Sequence, residues 1–196
     1  MGASERNEPK RRIWHQIATR LPADRFVFLD ESGANLTLAR RYGRAPKGER
    51  CPGRAPRNYP TNLTLIASCT VEGIGPSMIL DGPVDGAAFG LYIERVLVPT
   101  LTPGQIVVMD NLNVHKQERV RTAIRQAGCH PLYLPSYSPD FNPIELAFSK
   151  IKAYLRRVGV RTQEALEAAI AAALDLVTPS DATGYFRHCG FTAPVQ

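Results

Sequence analysis

Apolar positions along the chain recur with two different periods, and these lay out its elements. Ile13, Trp14 and Ile17 fall on one face of a helix predicted over residues 9–20, which Leu21-Pro22 closes. Phe26-Val27-Phe28-Leu29 is a continuous apolar run suited to a buried strand, and it ends in Asp30-Glu31-Ser32-Gly33. Residues 34–39 predict a second strand leading into a loop. The Thr-, Leu- and Ile-rich stretch 62–71 predicts a third, with a turn at 72–75 and a further strand at 78–80.

Helical spacing returns over 87–97, where Phe89, Tyr92, Ile93, Val96 and Leu97 are apolar. Ile106-Val107-Val108-Met109 is a second continuous apolar strand, ending at Asp110. An amphipathic helix follows over 115–127, closed by Gly128, then a short strand at 131–134 and a turn-rich loop at 136–142. Three helices complete the chain, at 143–158, 162–177 and 179–188. Strands come first, and strands and helices then alternate. That order predicts an α/β architecture with a mixed central sheet and helices on both faces.

Composition adds limits. The 196 residues are 44% hydrophobic and 21% charged, an ordinary globular balance that excludes disordered, collagenous and coiled-coil classes. No apolar run approaches the ~20 residues of a membrane-spanning helix. The polar first twelve residues lack the apolar core of a secretory signal, so an intracellular chain is expected. Cys51, Cys69, Cys129 and Cys189 are scattered, which suits reduced thiols rather than a disulfide framework or structural zinc.

Charge is uneven. Residues 1–57 carry 13 basic and 6 acidic residues, residues 58–113 one and five, and residues 114–196 ten and seven. The densest basic stretch runs from Arg40 and Arg41 through Arg44, Lys47 and Arg50 to Arg54 and Arg57. Its Gly and Pro content makes it a loop. Such a loop can track a phosphate backbone or be an ordinary solvated surface.

Three carboxylates are the candidate chemistry. Asp30 and Asp110 each end an apolar strand, where functional groups of α/β sheets collect. On neighbouring strands they would lie side by side, and such a pair repels unless protonated or bridged by a cation. Carboxylate oxygens suit Mg²⁺ or Mn²⁺. The plainer alternative is that each Asp caps the turn that follows it. Glu145 stands three residues after Asn142, with Pro143 between, which reads as a capping box at a helix start. Glu31 should face away from Asp30 by strand alternation. His115 is expected to pack or hydrogen-bond near a helix start, Asp140 to bond its own turn, and Trp14 to anchor the first helix in the core. Lys152 and Arg156, spaced i, i+4, share a helix face with either a DNA-holding or a solvated role.

The segments Phe28–Gly33, Val108–His115 and Tyr137–Glu145 resemble the three catalytic blocks of mariner-like bacterial insertion-sequence transposases, of the insertion sequence six-thirty family within the DDE superfamily. Between Asp110 and Glu145 lie 34 residues, as in the aspartate-aspartate-34-glutamate pattern of that group. The resemblance implies a ribonuclease H-like catalytic domain over 26–196, preceded by a helical extension over 1–25. It implies that Asp30, Asp110 and Glu145 are catalytic and hold two Mg²⁺ or Mn²⁺ ions. Phosphodiester hydrolysis at element ends and strand transfer to target DNA would follow. A nuclease that cuts without joining, or an inactive DNA-binding relic, are the rival readings.

DNA is the expected partner, contacted through Arg40, Arg41, Arg44, Lys47, Lys152 and Arg156. A homodimer on DNA and a bacterial cytoplasmic, nucleoid-associated location are expected as well. Related transposases carry helix-turn-helix regions ahead of the catalytic domain, and the residues before Asp30 are too few for two of them. Recognition of element ends is therefore expected to need a separate helix-turn-helix polypeptide or residues beyond this chain.

Overall fold

A computed structural model describes residues 6–40, 42–53 and 62–191. Its strands are β1 (Phe26–Asn35), β2 (Asn62–Thr70), β3 (Gly73–Asp81), β4 (Ile106–Met109) and β5 (His130–Tyr133). They form one sheet in the order β3-β2-β1-β4-β5. β1, β2 and β3 pair antiparallel, whereas β1, β4 and β5 pair parallel, so the sheet is mixed as expected.

β1 is central and sorts its side chains by alternation. Phe26 and Phe28 enter one apolar core, and Val27 and Leu29 enter the other. This two-sided burial explains why the β1 and β4 sequences read as unbroken apolar runs. Helices α1 (Glu8–Ala18), α4 (Pro143–Val158), α5 (Gln163–Leu174) and α6 (Pro179–His188) supply the first core. Helices α2 (Gly86–Tyr92) and α3 (Glu118–Gln126) supply the second. In α4 the buried residues Ile144, Phe148, Ile151 and Leu155 make one apolar stripe, and Gly159 ends the helix in the left-handed conformation at φ 64°.

Four predicted elements differ from those observed. The separate strand at 34–39 does not form. β1 instead continues through Gly33 to Asn35, because it pairs with β2 along that whole length, Ala34 opposite Leu63. The Asn35 carboxamide oxygen then accepts from the Thr37 N–H at 3.1 Å and the Thr37 hydroxyl at 2.6 Å, which turns the chain out of the sheet. β3 is longer than predicted and tolerates Pro76 because it is an edge strand. The helix at 87–97 ends as α2 at Tyr92 and passes through a π-helical turn (Ile93–Leu97). The helix expected from His115 starts only at Glu118, and His115 lies in a preceding 3₁₀ turn.

Trp14 anchors α1 as expected. Its indole stacks on Phe141 at 5.8 Å and meets Phe191 edge-on at 6.4 Å. Among the described residues, no helix is long and apolar enough to cross a membrane.

α6 is tied to α4 by an ion pair, Lys150 Nζ to Asp181 Oδ2 at 2.6 Å, and Asp181 also closes a capping box with Thr178. Lys150 first, then the Thr178 hydroxyl and N–H, hold the Asp181 carboxyl down at about 2, below its ordinary 3.8. A depressed pKa stabilises the fold above the unfolded value, and that contribution is lost as pH falls. We therefore expect the melting-temperature gap between wild type and Asp181→Asn to be full above pH 4 and to close toward pH 2. Melting curves across that range check it. A gap independent of pH would mean that the carboxylate charge contributes nothing.

Candidate active site

The parallel register of β1 and β4 sets Phe26 beside Ile106, Val27 beside Val107 and Phe28 beside Val108. Carried two residues further, the same register brings Asp30 level with Asp110. Glu145 enters from the first turn of α4, the helix that packs over β1. All three carboxylates line one cavity of about 430 Å³, a size typical of ligand sites.

Each carboxylate has a different setting. Asp30 is half-buried. Its Oδ1 accepts from the Glu31 N–H at 2.8 Å, and its Oδ2 accepts from Asn142 Nδ2 at 2.8 Å. Burial pushes its carboxyl up to about 7. The Glu31 N–H opposes this, and the charges of Glu145, Glu31 and Asp110 add to it. Asp110 goes the other way. Burial works against its ionised form, but His115 and the Leu112 N–H outweigh burial and lower its pKa. Glu145 is exposed on the cavity wall.

His115 is fully buried and bridges two carboxylates. Its Nε2 lies 2.9 Å from Glu31 Oε1, and its Nδ1 lies 2.6 Å from Asp110 Oδ1, off the axis of a straight hydrogen bond. Burial disfavours its charge, yet Asp110 and Glu31 together push its pKa up to about 9. Imidazolium is thus the form that the two carboxylates hold. Glu31 lies away from Asp30, as alternation required.

The capping box expected at Asn142 and Glu145 does not form. Asn142 stands at the N-cap position, but its side chain makes no capping bond. The carboxamide donates to Asp30 instead, because Asn142 is buried between α4 and β1 where that carboxylate needs a donor. Asp140 does not simply bond its own turn either. It accepts from Arg11 Nη2 at 2.6 Å and lies 3.6 Å from Arg6. Arg11 is itself buried. It also donates to the Tyr137 carbonyl at 3.2 Å and lies 4.2 Å from the centre of the Phe141 ring. So α1 clamps the loop that walls the cavity.

These functional neighbours were missed or underweighted in the sequence. Asn142 and Tyr137 are inside the third motif, Tyr137–Glu145, but nothing local shows where their side chains turn. Arg11 is 126 residues from the carbonyl it holds.

The six candidate DNA-contacting residues divide. Lys152 and Arg156 lie within about 40° of Glu145 around α4, and roughly 10 and 16 Å further along its axis. Arg40 is exposed beside the end of α4, its Nη2 3.4 Å from the Arg157 carbonyl. Arg44 and Lys47 are exposed in the basic loop. Arg41, with Arg54 and Arg57, lies outside the described residues.

Three solved structures share the architecture. The catalytic domain of Mos1 mariner transposase superposes with a TM-score of 0.63 at 16% identity, over 96% of this chain and 90% of that one. The Mos1 strand transfer complex gives 0.70 at 17% identity, over 94% of this chain and 56% of that one. The Mos1 mariner paired end complex with Mn gives 0.68 at 18% identity, over 94% and 57%. This chain therefore spans less than two thirds of the transposase chains in those two assemblies. The shared fold is ribonuclease H-like, as the motif resemblance implied. Residues 25–167 match the family described as DDE superfamily endonuclease, and the chain belongs to that family. Curated proteins gave no match.

Replacing His115 removes the counter-charge between two half-buried carboxylates. His115→Ala is expected to cost about 3 kcal/mol of stability, the usual loss when one partner of a buried pair is removed. Adding Glu31→Gln should recover part of it, because one orphaned charge is then gone. Urea unfolding of the single and double variants measures both. Additive losses would show that the imidazole does not couple to Glu31.

Proposed function

We propose that this chain is the catalytic domain of a metal-dependent DNA transposase of the mariner-like insertion-sequence type. Asp30, Asp110 and Glu145 are its catalytic residues and metal ligands. The observation that carries this reading is the single cavity lined by carboxylates from β1, from the end of β4 and from α4, in a chain of the DDE endonuclease family.

The donor set fits a divalent cation. It is made of hard oxygens, which suit Mg²⁺ or Mn²⁺. The crowding of negative charge that helps to raise Asp30 is what a cation would relieve. Among the described residues, no group of three or more His, Cys, Asp or Glu already stands close enough to hold an ion. Asp30 and Asp110 are meanwhile engaged by Asn142 and His115, and an ionised carboxylate keeps lone pairs beyond those bonds. Two such ions, when bound, supply an activated nucleophile and neutralise charge on the phosphate.

The protein's own groups do the positioning. Asn142 Nδ2 and the Glu31 N–H orient the Asp30 carboxylate. His115 keeps Asp110 ionised. The first turn of α4 presents Glu145 from a rigid element. Hydrolysis forms a bond from water oxygen to phosphorus and breaks the bond to the leaving 3′-oxygen. In strand transfer the freed 3′-hydroxyl oxygen bonds to a phosphorus of the target DNA at the same site, the target's own 3′-oxygen leaves, and the hydroxyl proton passes through solvent to that leaving oxygen. The row from Glu145 to Lys152 and Arg156, ending near Arg40, offers a cationic track for the phosphate backbone, with Arg44 and Lys47 on the adjoining loop.

Residues 26–196 form the catalytic domain in this reading, and the helical segment before it serves as a buttress. The Mos1 paired end complex with Mn supports paired DNA ends and Mn²⁺ as a usable ion, and a homodimer on DNA is the working state in this reading. A helix-turn-helix region, on a separate polypeptide or on residues beyond this chain, would recognise the element's ends, and the bacterial nucleoid would be the site of action. The test is calorimetric Mn²⁺ binding, with plasmid nicking and joining of a 3′-hydroxyl oligonucleotide. Wild type should bind Mn²⁺, nick and join. Asp110→Asn should weaken Mn²⁺ binding at least about tenfold and lower nicking at least about a hundredfold. Equal Mn²⁺ affinity in the two proteins would sink the ligand assignment, and nicking without joining would favour the nuclease.

A further inference from the structure

Among the described residues, Tyr137 is the one non-glycine residue with positive φ, at 58°. A bulky side chain rarely adopts the left-handed region, and it persists there only when its surroundings impose it. Here they do. Arg11 Nη1 holds the Tyr137 carbonyl at 3.2 Å, and Arg11 Nη2 holds Asp140 at 2.6 Å. On the other side, Asn111 Nδ2 donates to the Ser136 hydroxyl at 2.9 Å. The strained residue is held at its own carbonyl, and its flanking segment through the side chains of Ser136 and Asp140.

Among the described residues, none pairs with the Tyr137 ring or bonds its hydroxyl. Tyr137 is 54% exposed. Tyr137 nevertheless lines the same cavity as Asp30, Asp110 and Glu145, as does Leu112, which is 55% exposed. A glycine would sit at φ 58° without strain. An exposed aromatic held rigidly at the rim of a carboxylate site serves a ligand rather than the core.

The chemistry of the rim selects the ligand. A phosphate belongs with cations, and among the exposed lining residues here are an uncharged aromatic, Tyr137, and an aliphatic one, Leu112. An unpaired nucleobase offers the complementary flat apolar face, and stacking tolerates any base. We propose that Tyr137 is a stacking platform for one unpaired base of the DNA strand whose phosphate lies against Asp30, Asp110 and Glu145. The proposal rests on the reading of this site as a DNA-cutting centre and deepens it. The strand must be unpaired at that nucleotide, and Arg11 of α1 is the positioning residue that holds the platform. The strain is the cost of pre-forming that surface.

The test compares Tyr137→Phe, Tyr137→Ala and Tyr137→Gly with wild type, at low salt and with Ca²⁺ present. Fluorescence anisotropy would follow a labelled duplex with a short unpaired 3′ tail, the same duplex with abasic tail residues, and a fully paired duplex. Tyr137→Phe should bind the tailed duplex like wild type. Tyr137→Ala and Tyr137→Gly should bind it about tenfold or more weakly, with affinity for the paired and abasic duplexes unchanged. Tyr137→Gly should keep or raise the melting temperature, which separates the ring's role from folding. Equal affinity of Tyr137→Ala and wild type for the tailed duplex would overturn the platform, as would equal losses on all three duplexes. A wild-type protein that binds none of the duplexes and nicks no plasmid would overturn the parent reading instead.

Discussion

The parallel pairing of β1 with β4 is the contact on which the site depends. It sets Asp30, within β1, level with Asp110 just past the end of β4, and it also decides which face each side chain takes. A slip of one residue would turn Phe26 and Phe28 into the core that Val27 and Leu29 now fill. The same slip would turn Asp30 away from α4 and Glu145. Because both faces of β1 are buried, no alternative register is cheap. The apolar runs thus position the acids that follow them.

Gathering carboxylates has an electrostatic cost, and the neighbouring residues manage it in two ways. On the α4 side of the sheet Asn142 gives up its capping role to donate to Asp30, whose pKa still rises. On the other side the His115 imidazolium sits between Glu31 and Asp110, and Asp110 stays ionised. Two aspartates at one level of neighbouring strands therefore have opposite protonation tendencies. The loop that completes the cavity has its own support. Buried Arg11 ties together a carbonyl, a carboxylate and an aromatic ring of one short segment. A helix that looked like an extension in sequence is part of the site's scaffold.

Chain order and period were enough for much of the architecture. Continuous apolar runs at 26–29 and 106–109 marked the two central strands, because a strand buried on both faces leaves no polar positions. Helical periodicity placed α3, α4, α5 and α6 to within a few residues. Boundaries failed where pairing or side-chain bonding overrode local signals. β1 ran through Gly33 because β2 was available to pair with it. The first turn before α3 became a 3₁₀ segment in which His115 meets two carboxylates.

The sequence by itself determined the α/β class, the mixed sheet, the family and the three carboxylates worth testing. The class and the sheet follow from periodicity, a property of neighbouring residues, and the family and the carboxylates from the resemblance of three short motifs in chain order. Only the tertiary structure decided that Asn142 serves Asp30 instead of its helix, that His115 couples Glu31 to Asp110, and that Arg11 holds Tyr137 in a left-handed conformation at the cavity rim. Each of these is a contact between groups distant in the chain or a side-chain rotation with two plausible partners. Local pattern carries no information about which partner wins, because packing between elements sets the distances and the burial that decide it.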